Sequence, residues 1–440
     1  MKVVISPFTR VEGHAKVVLK LSEDGAVKEA KFKVLEFRGF EKILEGRPIE
    51  EAPRIASRIC GICQVAHSLA SAKAAERALG IEPPEDAIRL RRIMHYAGVI
   101  QSHLLHLIFL ALPDYLPTRA SSPLEYLFNN RKDLLKETIA ARSASQKIVE
   151  IVGGKSIHPT TNLVGGIAKP PSREDWRKLL NSSKSLVLSL KKIFGELEQI
   201  FEEKAEELRE YFELKTWYLA LARDGEGDFY DGDLMFKGET DSFRLPPEEY
   251  HKVILEETVA HSYIKYPYLV KGEKKLVRVG PLARHNISSP DVENNSLYYN
   301  VFRLKECIKL ADEISTLLDR PFKEKTFSKL VLRRGEGVGI VEAPRGLLVH
   351  HYKSDENGIL EKVNIIVPTT INAPSIEKLL EKVSSQYIKQ DKINVKELKY
   401  YLGLAVRLYD PCLSCATHSE SLLPIIEIRD HENGLVKVIY

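Results

Sequence analysis

Cysteine, methionine and tryptophan are scarce in this sequence: five, three and two among 440 residues. So few thiols exclude the disulfide framework of a small secreted scaffold. Four of the five fall in two Cys-x-x-Cys pairs, which read as metal ligands or redox thiols in a reducing, cytoplasmic compartment. An excess of either charge is also missing. The formal net charge is +4, too small at this length to mark a nucleic-acid footprint. No secretory signal is expected, because Met1-Lys2-Val3-Val4-Ile5 runs into Ser6-Pro7-Phe8 without an apolar core segment. One stretch, Ile93 to Pro113, lacks Asp, Glu, Lys and Arg and is long enough to span a bilayer. It carries Gln101, Ser102, His95, His103 and His106, which predict a buried core helix instead. No repeat and no low-complexity linker divides the chain. Little methionine beside abundant lysine and glutamate leans towards a thermophile's composition.

What is present predicts an α+β protein, predominantly helical, with a central bundle of long helices flanked by small β-regions near both termini. Val17–Leu21 and Ala30–Val34 predict a hairpin turning at Glu23-Asp24-Gly25. From Ala52 to Leu79 the pattern is helical and alanine-rich, broken at Cys60-Gly61-Ile62-Cys63. Asp86 to Leu112 predicts one long helix closed by Pro113, and Ser122-Pro123 starts another running to about Val152. Ser172 caps a charged helical stretch that continues past Glu210. Residues 215–300 read as mixed and rich in loops. Asn300–Leu318 predicts a helix holding Cys307 as a small core side chain. Residues 337–371 read as strands, and Ala373–Tyr387 and Val395–Val406 as helices. The tail, Pro424–Ile428 and Leu435–Ile439, predicts a hairpin with an Asn433-Gly434 turn.

Chemistry concentrates in Asp410-Pro411-Cys412-Leu413-Ser414-Cys415-Ala416-Thr417-His418, where two thiols, an imidazole and a carboxylate share nine residues. The matching pair, Cys60 and Cys63, lies near the other end of the chain, with His67 just downstream. Structural zinc usually draws its second pair from within a few dozen residues, to hold one local loop. A redox pair would want a thioredoxin-like βαβ setting, which is not evident here. Spacing alone leaves structural zinc and a catalytic or iron–sulfur thiolate site both open, since soft thiolates suit several metals. Glu12, Glu41, Asp114, Arg345, Asp410 and His418 tilt the choice. Singly each reads as a surface group. Jointly, beside elements expected to be buried, they suit the polar surroundings of a catalytic metal centre.

These residues together resemble a known family, the large catalytic subunit of [NiFe] hydrogenases, over essentially the full length. The motifs are Thr9-Arg10-Val11-Glu12-Gly13-His14, Phe37-Arg38-Gly39-Phe40-Glu41, Arg58-Ile59-Cys60-Gly61-Ile62-Cys63 with His67, Ala343-Pro344-Arg345-Gly346, Val367-Pro368-Thr369-Thr370, and Asp410-Pro411-Cys412 through Cys415 to His418. The short length, the Cys-Leu-Ser-Cys-Ala-Thr-His ending and Ile371-Asn372 resemble the cytosolic, bidirectional, archaeal-type branch.

The resemblance implies a Ni–Fe centre whose iron carries one CO and two CN ligands. Cys60 and Cys412 would be terminal thiolates on nickel, and Cys63 and Cys415 would bridge to iron. Heterolysis of H2 would pass its proton to Cys412 and then to Glu12, a carboxylate that burial can tune for the task. Arg345, in the turn after Pro344, would sit over the open site near a cyanide, held by Asp114 and Asp410. Thr369 would hydrogen-bond the other cyanide, and His67 would donate to a bridging thiolate. Glu41, the Ile365 carbonyl and His418 would hold a Mg²⁺ or similar ion.

The resemblance also implies a single domain, 1–418, followed by an extension, 419–440, that a maturation endopeptidase removes. With four cysteines committed to the centre, electrons need an Fe–S small subunit. Diaphorase or electron-carrier subunits would then serve NAD(P), a deazaflavin or sulfur. Two other classes compete. A quinone-binding subunit of respiratory complex I shares this fold but generally lacks the four cysteines. A zinc-stabilised, non-catalytic protein would hold zinc alone.

Overall fold

The computed structural model describes residues 2–6, 10–23, 25–35, 39–116, 123–323, 325–389, 392–413, 425–429 and 435–439. Thr9, Arg38, the turn residues Asp24 and Asn433-Gly434, and the expected ligands Cys415 and His418 lie outside them.

Strands β1 (Lys2–Ser6), β2 (Ala15–Leu21) and β3 (Val27–Val34) form an antiparallel sheet. Along β3 burial alternates, with Ala30, Phe32 and Val34 facing inward, as a strand with one wet face requires. The other edge of β1 is covered by Ile425–Arg429, and that strand by Leu435–Ile439. The two ends of the chain therefore share one five-stranded sheet.

Helix α1 (Phe40–Leu44) carries Glu41. A short helix and a 3₁₀ turn, Ser57–Ile59, lead to Cys60, and α2 (Gln64–Leu79) starts directly after Cys63. Its alanines let a strand lie against it. The β4 strand (Gly335–Ala343) places Gly335, Gly337 and Gly339 where an added Cβ would strike the backbone at Ala78, Ala74 and Ala70. β4, β5 (Gly346–Ser354) and β6 (Leu360–Ile366) make a three-stranded antiparallel sheet. This glycine-on-alanine contact fixes the start of α2, where Cys63 sits, against the strand that ends at Pro344-Arg345.

Four long helices, α3 (Glu85–Leu105), α4 (Lys132–Gly153), α5 (Arg173–Glu207) and α6 (Tyr298–Leu317), pack on one another: α3 on α4, α4 on α5, α5 on α6 and α6 on α3. Ser172 and Asp175 close a reciprocal capping box at the start of α5, as expected. The segment Glu85–Asp114 is long and apolar enough to cross a membrane, yet 78% of its most apolar window is buried inside the protein. Each of its histidines has an internal partner for Nε2: His95 the Glu342 carbonyl at 3.0 Å, His103 Glu306 at 2.9 Å and His106 the Arg407 carbonyl at 2.8 Å.

Three boundaries differ from the expectation. The helix before Pro113 is not regular to its end: His106–Ala111 forms a wider π turn and Leu112–Asp114 a 3₁₀ turn. Proline removes one donor and crowds the preceding turn, which the wider winding accommodates. The helix expected from Pro123 to Val152 breaks at Arg131, with φ −140° and ψ 50°, after the weak helix formers Asn129 and Asn130. Helix α7 (Pro368–Tyr387) begins five residues earlier than Ala373 because Pro368 occupies the first helical position, where its missing N–H costs nothing. Helix α8 (Val395–Leu408) leads into Asp410. Residues 215–300 hold more strand than expected. Trp217–Arg223 is central in its sheet, paired with Asp233–Lys237 and in parallel with Val277–Arg278.

Replacing Gly339 by alanine should lower stability by about 1–3 kcal/mol, the usual cost of overpacking. It should appear as a fall in Tm; an unchanged Tm would show that helix and strand separate freely.

Candidate metal centre

Three segments meet at the site. Glu12 and Cys412 form an isolated parallel β-bridge, and the Leu413 N–H donates to the Glu12 carbonyl at 2.8 Å. Cys60 and Cys63 arrive at the start of α2. The Sγ atoms of Cys60 and Cys412, 352 positions apart in sequence, lie 3.3 Å from each other. With Cys63 they form a buried cluster whose sulfurs all lie within 4.8 Å. A disulfide needs about 2.05 Å, so these are free thiols. Sulfurs sharing one tetrahedral metal at about 2.3 Å sit about 3.8 Å apart, a value between the 3.3 Å of the Cys60–Cys412 pair and the 4.8 Å that bounds the cluster. The Ile62 and Cys63 N–H groups each donate to Cys60 Sγ at 3.3 Å, and Cys63 stands at the N-terminal end of α2 without a side-chain capping bond. Both arrangements favour negative charge on sulfur.

Around the thiols stand charged groups. Glu12 Oε2 lies 3.0 Å from Cys412 Sγ, and Oε1 lies 4.0 Å from Cys60 Sγ. Arg345 follows Pro344 in the turn between β4 and β5, where Gly346 takes φ 130° and no Cβ would fit against Val279-Gly280. Its Nε donates to the Asp410 carbonyl at 2.5 Å and its Nη2 to the Asp410 carboxylate at 3.2 Å. Nη2 is also 3.9 Å from Glu12. Burial opposes this charge, but Asp410, Cys412, Glu12 and Cys63 outweigh it and push the guanidinium pKa further up. Its Nη1 is buried with no hydrogen-bond partner among the described residues. Asp410 takes φ 48°, a left-handed conformation that Asp tolerates better than most. Burial raises its pKa to about 6 against the pull of Arg345 and Arg303.

One expected pairing is corrected. Asp114 does not hold Arg345. Its carboxylate binds Arg407 of α8 at 2.6 and 2.9 Å and Arg10 at 2.5 Å, and its carbonyl accepts from the Tyr400 hydroxyl at 2.5 Å. Placed at the end of the apolar helix, it joins the segment leading to Glu12 with the helix leading to Cys412. Arg10 lies in the same motif as Glu12; nothing local points to Arg407.

The remaining residues fall nearby. Thr369, buried in the first turn of α7, accepts the Cys412 N–H at 3.0 Å. The Pro344 carbonyl lies 3.5 Å from Arg284 Nη2. His67 meets His350 at 3.1 Å, His350 meets the Tyr352 hydroxyl at 2.7 Å, and that hydroxyl donates to Ser71 at 2.8 Å. Sequence reasoning finds His67 but not this buried chain, whose two halves are far apart in sequence. Glu41 Oε1 accepts the Ile365 N–H at 3.0 Å, so two of the three expected Mg²⁺ ligand sources adjoin.

The described residues fit a thiolate-held metal group: three converging sulfurs, an adjoining carboxylate, and a buried guanidinium N–H free to donate. Removing Asp114 as Asp114→Ala strands the buried Arg407 charge and should cost about 3–5 kcal/mol. Both Tm and nickel per chain should fall; a stable, fully loaded variant would remove Asp114 from the frame.

Comparison with known proteins agrees with this geometry. A family model described as nickel-dependent hydrogenase matches residues 38–123 and 295–418, and one described as HoxL-like matches residues 2–37. The F420-non-reducing hydrogenase of Methanothermobacter thermautotrophicus contains a chain that is 37% identical over 100% of both sequences. The beta subunit of the NAD-reducing hydrogenase HoxS of Cupriavidus necator is 32% identical, across 97% of this chain and 96% of its own. Among solved structures, an NAD+-reducing [NiFe]-hydrogenase in the H2-reduced state matches with a TM-score of 0.85 and 33% identity, across 95% of this chain and 99% of that one. The Ni-Fe-Se hydrogenase of D. vulgaris Hildenborough shares the fold, with a TM-score of 0.78 at 22% identity across 95% of this chain and 100% of its own.

Proposed function

The chain belongs to the nickel-dependent hydrogenase family and is a hydrogenase catalytic subunit; from that premise we propose how its residues share the work of H2 ⇌ 2H⁺ + 2e⁻. The observation that carries the scheme is the contact of Glu12 with Cys412, 3.0 Å from carboxylate oxygen to sulfur, inside the thiol cluster. Cys60, Cys63, Cys412 and Cys415 would hold the metals, Cys60 and Cys412 as the terminal thiolates. The bound centre, with its CO and CN ligands on iron, supplies the polarisation that splits H2 and takes up its electrons. Cys412 Sγ receives the proton, and Glu12 takes it over the 3.0 Å contact and passes it outward. Arg345, protonated and fixed by Asp410, would offer its unpartnered Nη1 to the bound group and to a cyanide on it. Thr369 spends its acceptor on the Cys412 N–H, leaving its own O–H to donate to the other cyanide. His67 is oriented by His350 and acts on a bridging thiolate. Glu41, the Ile365 carbonyl and His418 would hold the Mg²⁺, Glu41 already lying beside Ile365 through its N–H.

Electrons leave through an Fe–S small subunit. The fifth cysteine, Cys307, is buried in α6, and burial pushes its thiol pKa up, so it offers no cluster ligand. A soluble acceptor beyond that partner fits relatives named as NAD-reducing; relatives named as F420-non-reducing argue against F420. A cytoplasmic complex follows from such an acceptor. Residues 419–440 are a maturation extension, supported by the family match that stops at His418. Its strands cover the β1 edge, and a maturation endopeptidase would uncover it. The complex I reading loses ground to the cysteines, and the zinc reading to the match with the nickel-dependent hydrogenase family.

In Glu12→Gln the metals should still load while H2/D2O exchange falls about 100- to 10 000-fold, the usual share of a general acid–base group; ordinary exchange would take Glu12 off the route. Mass spectrometry of active protein should find His418 as the C-terminus. An active chain that keeps Tyr440 would refute cleavage.

A further inference from the structure

The short helix Pro281–Ser288 brings another guanidinium to the turn that bears Arg345. Strands β4 and β5 pair as far as Ala343 with Gly346, so Pro344 and Arg345 form a two-residue turn. The helix starts against that turn: a Cβ added at Gly280 would lie 2.7 Å from the Arg345 carbonyl. One helical turn further on stands Arg284, which is buried. Its Nε and Nη2 take the two oxygens of Glu306 as a fork, at 2.7 and 2.8 Å. Its Nη1 donates to the Glu342 carboxylate at 2.6 Å and to the Ala343 carbonyl at 3.3 Å, and Nη2 to the Pro344 carbonyl at 3.5 Å. A guanidinium carries five N–H groups in one plane, and these five acceptors use them all. A lysine there would offer its donors from a single point and could not span the same partners.

The anchors are themselves held. Glu306, on α6, also meets His103 of α3 at 2.9 Å. The second carboxylate oxygen of Glu342 accepts the Leu221 N–H at 3.0 Å, and the Glu342 carbonyl accepts from His95 of α3 at 3.0 Å. The Phe229 ring lies 4.5 Å from the guanidinium. Arg284 therefore ties the long helices to three consecutive residues, Glu342, Ala343 and Pro344. The Pro344 carbonyl belongs to the same planar peptide unit as the Arg345 nitrogen. Holding that carbonyl holds the plane from which the Arg345 side chain departs. Asp410 fixes the outer end of that side chain, and Arg284 fixes its root.

We propose that Arg284 is a positioning residue of the hydrogenase reaction, gripping Glu342-Ala343-Pro344 so that Arg345 meets the bound centre at one angle. The proposal rests on the hydrogenase reading of the site, and its test separates the two. The variant Arg284→Lys keeps the charge and loses the fork. In the nickel-loaded holoenzyme with its Fe–S partner it should retain nickel and iron and shift the infrared C–N stretches. H2 oxidation should fall about 10- to 100-fold, the effect of a small misplacement at a reacting centre. In an Arg345→Leu background the same substitution should change the residual turnover by less than about twofold and leave the C–N bands unmoved, since its effect passes through that guanidinium.

Wild-type turnover or unshifted bands in loaded Arg284→Lys would overturn the proposal. So would a band shift that persists in the Arg345→Leu background, as a purely structural role would give. If Arg284→Lys loads no metal, Glu306→Gln decides, because it loosens the fork and leaves the bonds to Glu342, Ala343 and Pro344. A C–N shift there that Arg345→Leu abolishes supports the proposal; unshifted bands, a persisting shift or loss of metal from this variant too overturn it. Absence of CO and CN bands from the wild-type protein would instead strike the hydrogenase reading itself.

Discussion

Glu12 against Cys412 is a single backbone bridge between two segments from opposite ends of the chain, and the arrangement of the centre depends on it. It sets a carboxylate beside one thiol and brings that thiol to Cys60. A lone bridge cannot hold such a junction unaided, so each incoming segment is anchored elsewhere. The segment bearing Glu12 is tied through Arg10 to Asp114, and the helix before Cys412 through Arg407 to the same carboxylate. Cys60 and Cys63 are placed by α2, which the glycines of β4 hold at backbone contact. That strand ends at Arg345. One rigid helix–strand pair thus delivers two thiols and the guanidinium together.

The interior tolerates this much charge because the signs alternate. Arg91 is fully buried but bound by both oxygens of Glu76, at 2.6 and 2.9 Å, and by Asn162 at 2.8 Å. Arg284 is bound to Glu306 and Glu342. Buried ion pairs contribute little net stability, but breaking one is costly. Their value here is geometric: they fix where helices meet around a site that must be held closely. Towards the metal position the pairing becomes incomplete. Arg345 Nη1 and Asp410 Oδ2 lack hydrogen-bond partners among the described residues, which fits residues that hold a bound group.

Much of this is legible in the sequence where the signal is local. The two Cys-x-x-Cys pairs, the Ser172 cap, the first hairpin and the strands flanking Arg345 each carry their pattern within a few residues. What the sequence hides has a common cause. Asp114 reads as a partner of Arg345, yet its partners come from positions 10 and 407, and no periodicity announces a contact between three distant segments. The chain from His67 through His350 to Tyr352 and Ser71 is hidden for the same reason. The break at Arg131 and the π turn at His106–Ala111 are tertiary compromises that propensity does not fix. Trp217–Arg223 is lost among turn residues because a strand covered on both faces shows no alternation.

The measurement that bears most directly on the whole account is metal analysis with infrared spectroscopy on the purified holo-protein. The convergence of cysteines from both ends on two unlike metals predicts nickel and iron in equal amounts, with C–O and C–N stretching bands. Zinc alone, with no such bands, would contradict it.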